Sequence, residues 1–288
     1  MNEIVILSGK GGTGKTSISA AFATINPNTI VADCDVDAAN LHLILQPENH
    51  HENTMVTGHK AKIVQEKCTS CGICMEFCSF NAISYNNGKY IISESACDGC
   101  VLCWRLCSEQ AIELIPSDKS KWFIGDYRNG KLIHARLQPG EENSGKLVSM
   151  VRDLAKSLAV NFGIKHVIID GPPGTACPAI SSVTGAAKAL IVTEPTYSGF
   201  HDMKRIIDLT SSFSVKTFVL INKFDLNSDL SNEIEDWCNR NGFPVLGKIN
   251  FDRDIVEAML NCKSIVEWKP ESKTSKEIKK VFDYLITN

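Results

Sequence analysis

The twelve cysteines of this chain are unevenly distributed, since eight of them lie between residues 68 and 107. They form two runs of the pattern C-x2-C-x2-C-x3-C, and the second run repeats the first at an offset of 29 residues. The runs are Cys68, Cys71, Cys74, Cys78 and Cys97, Cys100, Cys103, Cys107. Because Ala82-Ile83 also recurs as Ala111-Ile112, residues 60 to 117 are interpreted as one duplicated unit, too small to depend on an apolar core alone.

Composition indicates a reducing compartment and narrows the classes of partner. Hydrophobic residues make up 43% of the chain and charged residues 22%, as in ordinary globular proteins. No apolar run approaches the ~18 residues of a membrane-spanning helix, and the first apolar stretch, Ile4 to Leu7, is too short for a signal peptide. We therefore expect a cytoplasmic protein whose cysteines bind metal. The net charge of −3 argues against a nucleic-acid partner.

The cysteine spacing resembles that of bacterial ferredoxins that hold two 4Fe–4S clusters. In that family the fourth cysteine of each run ligates the cluster of the other run. The resemblance implies one cluster on Cys68, Cys71, Cys74, Cys107 and a second on Cys97, Cys100, Cys103, Cys78. Paired zinc sites are the alternative, because C-x2-C also suits zinc, although a third cysteine three residues further on favours a cubane. Serine replaces the usual proline after the fourth cysteine, at Ser79 and Ser108.

A phosphate-binding loop follows the first predicted strand, Glu3 to Leu7. Residues 8 to 17 read SGKGGTGKTS, which matches the pattern G-x4-G-K-T. Glycines let backbone N–H groups surround phosphates, the final lysine reaches the terminal phosphates, and the threonine hydroxyl coordinates Mg²⁺. The predicted nucleotide-binding residues are Gly9, Gly11, Gly12, Thr13, Gly14, Lys15, Thr16 and Ser17, of which Thr16 is the Mg²⁺ ligand.

An additional lysine, Lys10, lies inside this loop. The loop resembles the deviant Walker A loop of the superfamily that contains MinD, ParA, Mrp and the nitrogenase iron protein. In that superfamily the extra lysine reaches across a dimer to the partner's phosphates. The resemblance implies an ATP-dependent homodimer, or a heterodimer with a similar ATPase; an exposed lysine that only adds positive charge is the alternative.

Three aspartates follow the second predicted strand, Thr29 to Ala32. Open α/β sheets bind ligands at the carboxyl ends of their strands, where these side chains would lie. By the same resemblance Asp35 orients the attacking water, so that Lys10, Lys15 and Asp35 are the predicted catalytic residues. Asp33 and Asp37 would support Mg²⁺ or the first switch, and an N-cap of the following helix is an equal alternative for Asp37.

Two later strands complete the predicted nucleotide site. The apolar run 167–169 ends at Asp170, the Walker B position, and Gly174 resembles a second-switch glycine near the γ-phosphate. The run 218–221 ends in Asn222-Lys223-Phe224-Asp225, which resembles the purine-reading loop of P-loop proteins. In ATP-using relatives the asparagine contacts adenine, which favours ATP. Asp225 would mark guanine in a GTPase, so GTP stays open.

Strands that alternate with helices predict an α/β fold with a doubly wound, mainly parallel sheet. We predict a discontinuous P-loop ATPase domain at residues 1–59 and 118–288, and an inserted small α+β ferredoxin-like domain at residues 60–117. The other predicted elements are strands at 190–193 and 245–249, a hairpin of 122–126 with 132–137, and a helix at 146–159. Residues 49–52, with His59, could form another metal site, but they are interpreted as a polar linker that enters the insertion.

The resemblance covers nearly the whole chain and implies a Mg²⁺-dependent ATPase with two 4Fe–4S clusters. It would couple ATP-driven dimer switching to electron transfer, or to iron–sulfur or metal-cofactor assembly, on a client protein. A MinD/ParA-like positioning or scaffold ATPase with redox-sensing clusters is the alternative. We expect no membrane partner, because one apolar face on the last helix is what packing on its own domain requires. That face is Ile278, Val281, Phe282, Leu285 and Ile286.

Cys177 lies seven residues after Asp170, the spacing at which the nitrogenase iron protein has a ligand of its dimer-bridging cluster. That protein needs a second cysteine from a loop corresponding to residues 141–146, where this chain has none. A dimer-interface metal site and a small buried thiol are both open for Cys177. The remaining cysteines, Cys34, Cys238 and Cys262, lack ligand spacing and are predicted to be structural.

Overall fold

The described part of the chain comprises residues 2–56, 58–138 and 144–288 of a computed structural model and contains thirteen strands, eleven α-helices and two single-turn 3-10 helices. The strands are β1 Asn2–Ser8, β2 Thr29–Asp33, β3 Glu48–Met55, β4 Gly58–Ile63, β5 Ile83–Asn86, β6 Lys89–Ile92, β7 Ile112–Ser117, β8 Ser120–Tyr127, β9 Gly130–Arg136, β10 His166–Pro173, β11 Lys188–Thr193, β12 Lys216–Asn222 and β13 Val245–Ile249. The helices are α1 Lys15–Ile25, α2 Leu41–Leu45, α3 Ile73–Glu76, α4 Leu102–Leu106, α5 Ser144–Asn161, α6 Cys177–Val183, α7 Tyr197–Ser212, α8 Ser228–Arg240, α9 Arg253–Leu260, α10 Ile265–Trp268 and α11 Lys273–Thr287.

Nine of these strands form one sheet in the order β13-β12-β11-β1-β10-β2-β9-β8-β3. The seven strands from β13 to β9 run parallel, while β8 and β3 add antiparallel pairs at one edge. Parallel strands covered on both faces are continuous apolar runs, and the central run Ile4 to Leu7 is indeed fully buried. The predicted α/β fold with a mainly parallel sheet is confirmed.

Helices cover both faces of this sheet. Helices α5, α7 and α8 bury residues such as Val151, Ile206 and Ile234 on one face. Helices α1 and α11 bury Phe22 and Phe282 on the other. The apolar stripe of α11 therefore packs on its own domain, as predicted. Among the described residues, no helix combines the length and the apolar character needed to cross a membrane.

The repeated cysteine runs lie in a small module with two two-stranded sheets of its own, β4-β7 and β5-β6. Strands β4 and β7 are antiparallel and begin their register at Gly58 opposite Ser117. Gly58 lies two residues before the predicted start of the insertion. At the edge of the large sheet, β3 and β8 end their register at Met55 opposite Ser120. The chain thus crosses between the two parts twice, each time within two residues.

The interpretation of residues 49–52 as a linker is wrong, because they belong to the edge strand β3. This strand pairs antiparallel with β8 over its full length, Glu48 opposite Asp126 to Met55 opposite Ser120. Its side chains are almost all exposed, so the sequence has no apolar alternation that would predict a strand. Backbone pairing with β8 is sufficient, and polar side chains are typical of sheet edges.

Candidate functional site

The nucleotide-binding residues meet at one edge of the sheet because three parallel strands are neighbours there. Strand β10 lies between β1 and β2, and Asp170 of β10 is in register with Ile6 on one side and Asp33 on the other. The loop that follows β1 therefore begins beside both carboxylates. This edge carries the carboxyl ends of the strands, where open α/β sheets bind ligands.

A cavity of about 850 Å³ opens over the loop. Nine of the predicted residues line it: Gly11, Gly12, Thr13, Gly14, Lys15, Thr16, Ser17, Asp35 and Asp37. Six others lie behind or beside its wall: Gly9, Lys10, Asp33, Asp170, Gly174 and Asn222. The loop needs glycine at Gly9, where a Cβ atom would lie 2.2 Å from Asp202 Cβ, and at Gly14, which has a φ of 94°. The cavity is large enough for a nucleotide.

Lys15 is the buried cation of this site. Its Nζ donates to Asp170 Oδ1 at 2.9 Å and lies 3.7 Å from Asp35 Oδ2. Burial disfavours the ammonium form, but the carboxylates of Asp170, Asp35 and Asp33 outweigh it, so the pKa of Lys15 lies above its ordinary value. Lys15 therefore stays charged and balances carboxylates that would otherwise repel one another.

Asp33 is fully buried behind the loop. Its Oδ1 accepts the Asp35 N–H and its Oδ2 accepts the Leu41 N–H, each at 3.2 Å. Burial and the neighbouring Asp170 charge raise the pKa of Asp33 to about 8. Asp33 thus fastens the segment between β2 and α2. Asp37, by contrast, is exposed; helix α2 has Asn40 as its N-cap, so the structure does not support the N-cap alternative for Asp37.

The raised pKa of Asp33 predicts a pH dependence of stability. The native protein keeps the Asp33 proton up to about pH 8, whereas the unfolded chain releases it near pH 4. The native state then binds more protons, so the free energy of unfolding falls as the pH rises through this window. We expect a fall of at least ~1 kcal/mol between about pH 5 and pH 8, measured by chemical denaturation without nucleotide.

Asp33→Asn should flatten this pH profile, because the amide does not titrate. Asp37→Asn removes the same charge four residues away at an exposed position, so it serves as the matched control and should keep the wild-type slope. An unchanged slope in Asp33→Asn would contradict the assignment of the buried proton to this residue.

The donor set fits Mg²⁺ at Asp170 and Thr16. Asp170 Oδ1 accepts from Lys15 and from Ser19 Oγ at 2.6 Å. Asp170 Oδ2 is buried and has no hydrogen-bond partner within the described residues. Magnesium prefers a few carboxylate and hydroxyl oxygens with several waters and phosphates, so the unpaired oxygen of Asp170 and the hydroxyl of Thr16, which lines the nucleotide cavity, suit this ion.

Lys10 is held within its own chain by a residue that sequence reasoning missed. Its Nζ lies 2.8 Å from Glu194 Oε1 and contacts the hydroxyls of Thr196 and Ser198. Glu194 also pairs with Lys223, whose Nζ donates to the carbonyl of Gly12. Burial alone would raise the pKa of Glu194, but the two ammonium groups outweigh it, so that pKa is lowered. Reaching a partner's phosphates would require Lys10 to leave Glu194.

Asn222 braces the phosphate-binding loop. Its Nδ2 donates to the carbonyl of Thr13 at 2.8 Å and its Oδ1 accepts the Lys223 N–H. A Cβ atom at Gly14 would lie 2.3 Å from Asn222 Nδ2. The predicted adenine contact stays a prediction. Asp225 Oδ1 accepts the Phe251 N–H at 2.6 Å, which engages one of the two oxygens that a guanine-reading carboxylate would need.

One wall of the nucleotide cavity is apolar, and sequence analysis did not find it. Helix α9 contributes Val256, Met259 and Leu260, and α2 contributes Leu43 and Ile44. Leu260 is 79% exposed and Leu43 57%. An amphipathic period in residues 253–260 is the only sequence signal for this wall, and it does not reveal that the face borders a nucleotide site.

The eight repeated cysteines line two further cavities in the small module. The first cavity has Cys68, Cys71, Cys74 and Cys107 in its wall, and the second has Cys78, Cys97, Cys100 and Cys103. Each cavity takes three cysteines from one run and the fourth from the other. This is the grouping that the ferredoxin resemblance implies, whereas the clusters themselves stay a prediction.

The two cavities are related by the 29-residue repeat beyond their cysteines. Every residue that lines the first cavity has its counterpart, 29 positions away, in the wall of the second. Examples are Ile63 with Ile92, Ala111 with Ala82, and Ile112 with Ile83. Tyr90 of the first cavity corresponds to Ala61 of the second. Gly72 lies next to Tyr90, since a Cβ atom at Gly72 would lie 2.9 Å from the tyrosine hydroxyl. The counterpart of Gly72 in the second cavity is the larger Val101, and the smaller Ala61 takes the place of the tyrosine there.

The cysteine thiols of each cavity lie near one another but do not converge on a single metal-ion position in the described ranges. Burial raises the pKa of Cys103 to about 11, and the charges of Cys97 and Cys100 add to the effect. Burial likewise raises the pKa of Cys74, with Cys68 and Cys71 among its neighbours. No group of three His, Cys, Asp or Glu side chains in the described ranges is close enough to hold one metal ion. A four-iron cubane, which has thiolates on separate irons, would have to be accommodated by the full cavity.

The other four cysteines differ in exposure. Cys34 and Cys238 are buried and Cys262 is half-buried, in keeping with structural roles. Cys177 is exposed at the start of α6, so its interpretation as a buried thiol is wrong. In the loop compared with the nitrogenase iron protein, residues 141–143 lie outside the described residues.

A phosphate-binding loop after a central parallel strand, with acidic side chains from the adjacent strand β10 and from β2 beyond it, defines a P-loop nucleotide-binding protein. The sequence profile of the CobQ/CobB/MinD/ParA nucleotide binding domain matches residues 4–265. The chain therefore belongs to this family.

Three known proteins illustrate the likeness. An uncharacterized protein of Methanocaldococcus jannaschii is 35% identical, over 98% of this chain and 96% of its own. The septum site-determining protein MinD of Pyrococcus horikoshii, complexed with Mg-ADP, has a TM-score of 0.61 at 18% identity and covers 99% of this chain and 96% of its own. The MinC:MinD cell division complex of Aquifex aeolicus has a TM-score of 0.58 at 21% identity, covering 100% of this chain and 97% of its own. The two structural matches show the shared fold.

Proposed function

We propose that this protein is a Mg²⁺-dependent ATPase that carries two 4Fe–4S clusters and couples ATP-driven dimerisation to redox or cofactor-assembly chemistry on a client protein. The observation that carries the proposal is the pair of repeat-related cavities, each lined by four cysteines from both runs. Cysteine thiolates are the usual ligands of such clusters. The cofactors are two 4Fe–4S clusters, ATP and Mg²⁺.

ATP hydrolysis would depend on the residues around the loop. Lys15 would bind the terminal phosphates, Thr16 and the free oxygen of Asp170 would hold Mg²⁺ directly or through water, and Asp35 would orient the attacking water. When nucleotide binds, the Lys15 ammonium group would interact with the phosphates in place of the carboxylates of Asp170 and Asp35. Lys10 would reach the phosphates of the partner subunit once it leaves Glu194. Gly174, whose N–H donates to the carbonyl of Ser8, would change its position when the γ-phosphate binds.

The route from nucleotide to clusters is short along the chain. The segment after Asp33 leads to α2, which contributes Leu43 and Ile44 to the nucleotide cavity. Strand β3 begins three residues after α2 ends, and its far end leads into the small module at Gly58. A shift of the Asp33–Leu41 segment on ATP binding would therefore move the strand that carries the module. We propose that residues 60–117 are the ferredoxin domain, because the residues that line the two cysteine cavities lie within this range.

A MinD- or ParA-like positioning ATPase is the second candidate. The family membership and the likeness to MinD over most of the chain favour it, since several of its relatives are septum site-determining proteins. In this version the clusters would sense redox state rather than donate electrons. Both versions share the ATP-dependent dimer. In the positioning version, MinC in the MinC:MinD complex of Aquifex aeolicus would be the model for a protein partner.

The experiment that separates these versions is anaerobic capture of the client. Asp35→Ala should bind ATP but hydrolyse it at least ~100-fold more slowly, because the group that orients the water is lost. The variant would therefore hold the dimer and its client together. We expect the iron-loaded Asp35→Ala protein to co-purify with a redox protein or metalloenzyme in the presence of ATP. With ADP in place of ATP, this partner should be lost.

Two outcomes would contradict the redox proposal. If the protein contains no iron after anaerobic reconstitution, the cluster part of the proposal is wrong. Iron-loaded protein that forms ATP-dependent assemblies and captures no redox or metalloenzyme partner would favour the positioning role. Lys10→Ala is the matched control, since it should keep mononucleotide binding but lose the ATP-dependent dimer and its client.

A further inference from the structure

Lys60, on strand β4 of the small module, is a buried cation beside one of the two cysteine cavities. Its side chain is 8% exposed, and its Nζ donates to the backbone carbonyl of Cys97. The next residue, Ala61, lines the second cavity together with Cys97. The loop of the second run lies directly against β4, because a Cβ atom at Gly99 would come within 2.4 Å of the carbonyl of His59.

The sequence repeat supplies an internal comparison for this lysine. Lys60 precedes Cys68 by eight residues and Lys89 precedes Cys97 by eight, so the two lysines are counterparts at the offset of 29. Lys89 is exposed at the start of β6. The duplicated unit therefore has one lysine buried next to the second run and its counterpart in solvent.

Exposed charges also differ between the two repeats, since Lys67 corresponds to Ala96 and Glu76 to Arg105, but water and salt screen exposed charges. Glu109 lines the first cavity and the half-buried Asp98 lines the second. Lys60 is a buried cation beside the second cavity and its counterpart Lys89 is exposed, so the two cavities differ in the buried positive charge next to them. Adding an electron to a cluster adds negative charge, which a nearby cation stabilises more strongly inside a protein than in water. Local charge is one of the properties that set cluster potentials.

We propose that Lys60 makes the two clusters unequal by raising the reduction potential of the cluster held by Cys97, Cys100, Cys103 and Cys78. The first electron would then reside on this cluster, which is the one beside the strand that joins the module to the large sheet. Lys60 is not a ligand of either cluster; its charge determines which of the two clusters is reduced first. The inference rests on the proposed function, because it requires that both clusters are bound.

Potentiometric titration of the anaerobically reconstituted full-length protein, followed by electron paramagnetic resonance, tests this assignment. Lys60→Gln keeps a donor for the Cys97 carbonyl but removes the charge. We expect two separate reductions in the wild type and a shift of only the higher one to lower potential in Lys60→Gln. Lys60→Arg should keep the wild-type separation, and Lys89→Gln, the repeat-related control, should leave both reductions unchanged.

The outcomes distinguish the inference from the proposal beneath it. Unaltered potentials in Lys60→Gln, or an equal shift of both clusters, would overturn the role of Lys60 while leaving the clusters in place. A wild-type chain that takes up no iron would overturn the proposed function itself. If Lys60→Gln fails to fold, the comparison of Lys60→Arg with the wild type still decides, because loss of the separation despite a retained charge would contradict the electrostatic explanation.

Discussion

Replacing Lys15 by alanine is expected to reduce ATP turnover by ~100- to 1000-fold, as for the loss of one charge-stabilising donor in an active site. Lys15 is the proposed phosphate-binding cation of the loop, and its Nζ lies 2.9 Å from Asp170 Oδ1. Without it, the carboxylates of Asp170 and Asp35 lose the buried ammonium group that lies beside them. We therefore also expect a loss of about 3 kcal/mol in the free energy of unfolding.

Steady-state hydrolysis and chemical denaturation measure the two effects of Lys15→Ala. The visible absorption of the proposed clusters should be unchanged, because the cysteine cavities lie in the small module. For the denaturation measurement, Lys10→Ala is the control for loss of a lysine in the same loop, because Lys10 is 32% exposed and its partner Glu194 keeps an ion pair with Lys223; we expect that variant to lose at most ~1 kcal/mol. Hydrolysis by Lys15→Ala within tenfold of the wild type would show that this loop does not bind the phosphates.

Removing Cys107 is expected to abolish the cluster of the first cysteine run, although Cys107 belongs to the second. The iron content of the reconstituted chain should fall from about eight to about four atoms. The physical reason is that Cys107 lies in the wall of the cavity that holds Cys68, Cys71 and Cys74. Cys78→Ala should have the reciprocal effect on the other cavity.

Double variants make this test decisive. If the ligands cross between runs, Cys107→Ala with Cys71→Ala damages one site and leaves about four iron atoms, whereas Cys107→Ala with Cys100→Ala damages both and leaves none. Ligation within each run predicts the reverse. Cys177→Ala is the control, because Cys177 is exposed and far along the chain from both runs; loss of iron in that variant would instead indicate a further site.

Local patterns in the sequence predicted the central elements well. The run Glu3 to Leu7 and the loop after it form β1 and the phosphate-binding loop, because β-branched residues followed by glycines and a lysine determine both conformation and chemistry within a few positions. The hairpin predicted across residues 128–130 also forms, as β8 and β9. Strand β3 was missed because an exposed edge strand has no apolar alternation.

The pairing of distant charges had no local signal. Lys10 and Glu194 meet at 2.8 Å although 184 positions separate them, and only the order of β1, β11 and β12 in the sheet brings their loops together. Lys60 reads in the sequence as an ordinary exposed lysine. Its burial follows from the packing of β4 against the second cysteine run.

The sequence by itself determined the phosphate-binding loop, the 29-residue repeat and the composition of the two cysteine runs, because each is a short-range pattern whose chemistry depends on adjacent residues. The tertiary structure decided which side chains face one another: Asp33 beside Asp170, Lys10 on Glu194, and Cys107 in the cavity of the first run. Such contacts depend on strand order and helix packing, which are cooperative properties of the whole chain. The difference in buried charge beside the two cavities, with Lys60 buried and Lys89 exposed, is likewise a result of the tertiary structure.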